Sequence, residues 1–178
     1  MKSPKSALII AVPLALLLAA GWFFFIRQSA TDRIKQQAEK CAHAILAKDF
    51  GTVVDLTQKR MVDLMRGKDA IVATMTHELT QMHDEGVGFD TITIGDPQAP
   101  LKSGAWSLSL VPEQIVLKAP GGRLKDDSYL LALSDDNGKN WSFVSLTMTA
   151  PQFFQVYPEL NGAFAFPEHQ QPVYEKDK

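Results

Sequence analysis

The 178-residue sequence predicts an α+β chain: an N-terminal transmembrane helix, then three helices packed on a curved, cone-like antiparallel sheet of four or more strands. Three observations carry this. Residues 7–26, ALIIAVPLALLLAAGWFFFI, contain no charge, and a helix of that length spans roughly 30 Å, the thickness of a bilayer core. From Ile34 to Glu85 the apolar residues recur with a period near 3.6, and after Gly86 the period changes to 2. The chain accordingly divides into a basic leader (1–6), a membrane anchor (7–26), a short linker (27–30), one soluble α+β domain (31–160) and a loose tail (161–178).

The apolar stretch follows Lys2 and Lys5 and ends in Trp22, Phe23, Phe24, Phe25 and Ile26, then Arg27. A cleavable signal has a shorter apolar run and small residues at its exit. The aromatic exit reads instead as an interfacial belt, so an uncleaved signal-anchor is expected. Pro13 is tolerated inside a membrane helix. Counting basic residues on the two flanks places the domain in the cytoplasm, but a domain of this size translocates largely regardless of its charges. The short basic start favours a single-pass protein of the cell inner membrane with its C-terminal domain outside the cytoplasm.

Ile34, Ala38, Cys41, Ala42, Ile45 and Leu46 form one face of the first helix, which Asp49-Phe50-Gly51 is expected to end. A second helix is predicted over Val53 to Met65, closed by Arg66-Gly67, and a third from Asp69 to Glu85, with Ile71, Met75, Leu79 and Met82 on one stripe. His77 projects away from that stripe, and His83 lies at its edge. A spacing of six does not bring both to one metal, and His77-Glu78 does not continue as H-E-x-x-H. The four methionines Met61, Met65, Met75 and Met82 read as adaptable core.

Phe89 to Ile94 forms a first strand, ended by Gly95-Asp96-Pro97. Trp106, Leu108 and Leu110 alternate on one face of a second. Pro112 cannot donate to a ladder, so an edge position or a bulge is expected there before pairing resumes through Ile115, Val116 and Leu117. Pro120-Gly121-Gly122 turns the chain, and Tyr129 to Leu133 is apolar at successive positions, as in a central strand covered on both faces. Ser134-Asp135-Asp136-Asn137-Gly138 then makes a hairpin turn, with positive φ at Asn137-Gly138 and Trp141 starting the next strand. Residues 151–160 form a capping segment rich in aromatics.

Charge and cysteine content exclude several classes of function. Setting Lys2 and Lys5 aside from the 18 basic residues leaves 16 against 20 acidic ones, the wrong sign for a nucleic-acid partner. The single cysteine, Cys41, allows neither an intramolecular disulfide nor a thiolate metal cage, and its apolar neighbours make it a small buried hydrophobe. No motif implies a cofactor or a metal.

Two resemblances stand on named residues. Ser134, Asp136, Gly138 and Trp141 are similar to the Asp-box of sialidase-like propellers, S-x-D-x-G-x-x-W, which is structural in that family. One copy after three helices excludes a propeller, and the loop lacks the ligands of a calcium hand. Over residues 31–160, the order of three helices then antiparallel strands, with Ala42, Ala47, Asp49 and Phe50 at the end of the first helix, resembles the nuclear-transport-factor-2-like (cystatin-like) superfamily. The resemblance implies a long first helix lying in a sheet cone, and members that serve as binding or assembly domains, including anchored bridging subunits of type IV secretion machines. It points to a membrane-tethered, non-catalytic interaction or ligand-binding domain, with a protein partner or a second copy of the chain. An isomerase- or dehydratase-like enzyme and a structural subunit of an envelope complex are the alternatives. His83, Asp90, Trp106 and Tyr129 are the pocket candidates, with His83, Asp90 and Tyr129 the groups an enzyme would use. The polarity of the space between helix and sheet discriminates: titratable groups converging in a cavity favour the enzyme, and filling by Trp106, Leu108, Phe143 and methionines argues against it.

Overall fold

A computed structural model describes residues 29–168 and 170–177. Four helices come first, α1 (Ala30–Leu46), α2 (Phe50–Leu56), α3 (Lys59–Leu64) and α4 (Lys68–Asp84). Strands β1 (Gly88–Ile94), β2 (Leu101–Ser103), β3 (Trp106–Ala119), β4 (Gly122–Ser134) and β5 (Ser142–Ser145) follow, then α5 (Ala150–Val156), a 3-10 turn (Pro158–Leu160) and β6 (Val173–Lys176). The chain is α+β with a six-stranded antiparallel sheet in the order β1-β3-β4-β5. In that sheet β2 also pairs with β3, and β6 with β4.

The predicted architecture needs correction at its N-terminus. Among the described residues no helix is long and apolar enough to cross a membrane, so the transmembrane helix and the single-pass architecture are not supported. Residues 7–26, on which that expectation rested, lie outside the described residues. The first described residue, Ser29, caps α1: its Oγ accepts from the Asp32 amide at 3.0 Å, while the Asp32 carboxylate accepts from the Ser29 amide.

Helix number also differs from the prediction. α1 ends four residues before the expected Gly51 stop. Lys48 takes a left-handed conformation at φ 59°, and Asp49 caps α2 by accepting from the Thr52 amide and hydroxyl. The predicted second helix breaks at Thr57-Gln58. There the chain becomes extended, and the Gln58 amide donates to the Phe143 carbonyl at 3.0 Å, shielding the outer edge of β5. The tail supplies β6, paired with β4 from Gly122↔Lys176 to Lys125↔Val173.

Pro112 lies inside β3, between β1 and β4, rather than at an edge. Its carbonyl accepts from the Gly95 amide at 2.8 Å, so its missing N–H faces the point where β1 has already ended. Only glycine fits opposite: a Cβ on Gly95 would stand 2.9 Å from the Pro112 Cβ. The register irregularity of the sheet lies instead in β1, where Asp90 is the extra residue between Phe89↔Leu117 and Thr91↔Val116.

Both faces of the β3–β4 pair are buried. On one, Ile34, Ala38 and Ala42 of α1 pack on Val111, Leu130, Ala132, Trp141 and Phe143. On the other, Phe153, Tyr157 and Leu160 cover Leu108, Leu110, Leu131 and Leu133, with Phe164 and Phe166 of the tail edge-on or tilted around Phe153. A buried hydrogen bond joins the C-terminal cover to the α2–α3 link: Tyr157 Oη donates to Gln58 Oε1 at 2.6 Å. Replacing Tyr157 with Phe keeps the ring and removes this bond, while Gln58 Oε1 still accepts from the Arg60 amide. The expected loss is about 1–2 kcal/mol of unfolding free energy, read from urea denaturation as a lower midpoint at unchanged slope.

Candidate functional site

The four residues expected to form a pocket do not converge. His83 is exposed at the end of α4, beside Lys48, Phe50 and Leu79. Asp90 projects from the β1 bulge and pairs with Lys118 and Arg123, each at 3.1 Å. The Lys118 bond, with Arg123 behind it, holds its carboxyl below the usual range. Trp106 packs in the C-terminal cover, edge-on to Tyr157 at 6.5 Å. Tyr129 lies against the same side, paired with Pro112 and bordering a shallow cavity with Gln114 and Asp127. His77 is exposed, and among the described residues no group of three His, Cys, Asp or Glu side chains could hold a metal.

The hairpin residues are arranged as a self-contained turn. Ser134 Oγ donates to Asp136 Oδ1 at 2.7 Å and accepts from the Gly138 amide at 2.9 Å. Asp136 Oδ1 accepts from the amides of Lys139 and Asn140, both at 3.0 Å, and its carboxyl pKa is driven down by these bonds. Asn137 and Gly138 have φ of 63° and 79°. Trp141, 4% exposed, packs under Gly138 and into the α1 face of the core. Arg33 of α1 donates to the Gly138 carbonyl at 3.0 Å, tying helix to turn. Ser134 and Asp136 spend their side-chain oxygens on the loop's own amides, an arrangement that holds a turn rather than a ligand.

The group that does face a cavity is Glu113. It alternates in β3 with Val111 and Ile115, so the pleat directs it to the α1 face. The residue is 7% exposed, and its one hydrogen bond among the described residues is a long one, 3.4 Å, from Ser128 Oγ on β4. Burial, helped by the nearby Asp126 carboxylate and opposed by Ser128, pushes its pKa up to about 7.

Glu113 borders a cavity of about 390 Å³ between the helices and the sheet. The walls are Cys41 and Ile45 of α1, Val53 of α2, Met61 of α3, Phe89 of β1, Ile115 of β3, Leu130 of β4 and Phe143 of β5. Met65, Thr57, Ser145, Thr147 and Met148 complete its rim. Burial, with a contribution from Glu113, raises the Cys41 thiol to about 11, which makes it an inert wall rather than a nucleophile. The arrangement offers an apolar container with one carboxyl that can donate or accept a hydrogen bond near neutrality.

Glu113 was not among the expected site residues, although the sequence carries a signal for it. In Val111-Pro112-Glu113-Gln114-Ile115 a glutamate occupies the inward parity of an apolar strand, a violation of the alternation that makes a strand half-buried. The proline beside it drew attention to the backbone instead. Compared with known proteins, the chain matches no family model, and no curated protein is similar to it.

The raised pKa of Glu113 makes stability depend on pH. The folded state retains its proton between the unfolded value near 4.5 and the folded value near 7, so stability falls as pH rises through that window and stays reduced above it. The full difference is roughly 3 kcal/mol. Glu113→Gln removes the titration. Denaturant unfolding from pH 4.5 to 8 should show wild type losing stability across the window, and the variant losing correspondingly less and exceeding wild type above pH 7.

Proposed function

We propose that the chain is a non-catalytic ligand-binding domain whose cavity between the helices and the sheet takes a small, mostly apolar molecule anchored at Glu113. The observation that carries this is a buried carboxyl with a single long hydrogen bond, set in an otherwise apolar cavity of about 390 Å³. Such a group destabilises the fold wherever it is ionised, and a core that served packing alone would place an apolar side chain there. Small-molecule sites have this composition, apolar walls with few polar groups that fix orientation, and this range of volume. Part of this proposal is the likeness to the nuclear-transport-factor-2-like superfamily, supported by a long first helix laid across antiparallel strands.

A second reading, an isomerase- or dehydratase-like enzyme, is favoured by one observation, that Glu113 titrates near neutrality where a general acid or base works best. Against it stands the lack of a strong partner for a developing charge. The lining offers the hydroxyls of Thr57, Ser145 and Thr147 and the Cys41 thiol. Neither Tyr129, His83 nor Asp90 reaches the cavity.

Ligand binding is tested with the neutral, apolar dye Nile red. Its fluorescence should rise and shift to the blue on addition of the protein, with saturation at one dye per chain. Ile115→Trp, which fills the cavity from the rigid strand β3, should lower the dye affinity by roughly tenfold or more while the far-ultraviolet circular dichroism is kept. Equal dye binding by the filled variant would remove the cavity as the site.

A further inference from the structure

The cavity is one-sided in charge. Among the described residues no lysine, arginine or histidine lines it. From β3 comes Glu113, from β4 the Asp126 carboxylate that raises the Glu113 pKa, and from α1 the thiol of Cys41. Asp126 pairs in register with Ile115, itself a lining residue. The walls supplied by α2, α3, β1 and β5 present no titratable side chain. A ligand anion placed here meets the Glu113 carboxylate in a low-dielectric surrounding, and a ligand cation meets a complementary charge.

We propose that the molecule bound in this cavity is a lipophilic amine, an apolar body carrying one basic nitrogen, whose ammonium group pairs with the Glu113 carboxylate. This rests on the ligand-binding reading above and names its ligand class. Proton balance is simple. When a neutral amine meets the protonated carboxyl, the Glu113 proton moves to nitrogen and an ion pair remains. When an ammonium enters, it brings its own proton and Glu113 releases one to solvent. No other bond forms or breaks.

Energetically the amine has an advantage that other ligand classes lack. Removing the Glu113 carboxyl from water is already accomplished in the folded chain, so binding adds only the desolvation of the ammonium. Against that stand a charge-assisted hydrogen bond in an apolar surrounding and burial of the ligand body among side chains that include Phe89 and Phe143. A neutral alcohol gains the burial but only an ordinary hydrogen bond. Met61, Met65 and Met148 in the lining adapt to the shape of the body rather than select it.

Three ligands with one apolar body separate these cases: 1-naphthylmethylamine, 1-naphthalenemethanol and 1-naphthoate, titrated calorimetrically into the full chain at pH 7. The amine should bind about tenfold more tightly than the alcohol, and the naphthoate most weakly. In Glu113→Gln the amine should bind no more tightly than the alcohol binds to the same variant. At pH 6, titration in buffers of different ionisation enthalpy should show close to one proton released per amine bound and none per alcohol, a measurement that needs no variant. An amine no tighter than the alcohol, an amine advantage that survives in Glu113→Gln, a tighter naphthoate, or amine binding without proton release each overturns the amine assignment while the apolar site stands. Failure of all three ligands and of Nile red to bind defeats the ligand-binding reading itself.

Discussion

The pairing of β3 with β4 is the interaction on which the rest of the structure depends. It runs without a break from Ser107↔Ser134 to Ala119↔Gly122, and it is buried on both faces through its first half. A two-sided apolar ribbon is unstable alone, so each face demands a cover. α1 meets one demand and the C-terminal segment from α5 to Phe166 the other. A fully buried Ile34 or Phe153 contributes on the order of 1.5–3 kcal/mol, so each cover rests on a few large side chains rather than on helix propensity. The buried side chains of α1 after Ile34 are small ones, Ala38, Cys41, Ala42 and Ala44. They let the helix approach the ribbon at its start and leave unfilled volume farther along, where Glu113 stands.

That volume carries a cost in stability. A leucine at position 113 would satisfy the pleat, match Val111 and Ile115, and remove a group whose ionisation opposes folding above neutrality. Ser128, opposite in the ladder, reduces the penalty only weakly through its 3.4 Å bond. By contrast the other perturbed carboxylates are held in favourable settings: Asp136 by backbone amides, Asp90 by two cations, Asp49 by the Thr52 cap. Among the perturbed carboxyls of the described residues, Glu113 is the one whose surroundings favour its neutral form, and that exception is what makes it informative.

Local chemistry was legible in the sequence, and long-range placement was not. The turn at Asn137-Gly138 and the 3.6-period stripe of α1 depend on neighbours a few residues apart, and both read directly. Thr57-Gln58 could not be read this way: their extended backbone is imposed by Phe143, far off in sequence, and no propensity in Val53 to Met65 announces the break. Pro112 misled because the rule for proline in a sheet concerns the missing donor, and where that donor would point depends on where β1 ends. His83, Asp90, Trp106 and Tyr129 stand out by residue type, whereas Glu113 is distinguished by parity within its strand. Of the four, Trp106 and Tyr129 belong to the opposite face of the sheet, a one-residue distinction in a strand of period 2.

The two covers of the ribbon are not independent, and Gln58 is the reason. Its amide closes the edge of β5, and its side chain accepts from both Tyr157 Oη and the Arg60 amide. Arg60 in turn donates to the Val156 carbonyl at 2.8 Å, pairs with Glu159 at 2.9 Å and lies 4.8 Å over the Tyr157 ring. The Arg60–Glu159 pair is half exposed and by itself adds little, so the buried Tyr157–Gln58 bond and the ring contacts carry the connection. α3 starts at this junction and carries Met61 into the cavity wall. Its other end has no such anchor: Leu64 is 62% exposed, Met65 44%, and the chain leaves through positive φ at Arg66 and Gly67. The cavity wall is therefore fixed to the C-terminal cover at Arg60 and more exposed at Met65, so whatever strengthens the Tyr157 contact on one face of the sheet also steadies the cavity wall on the other.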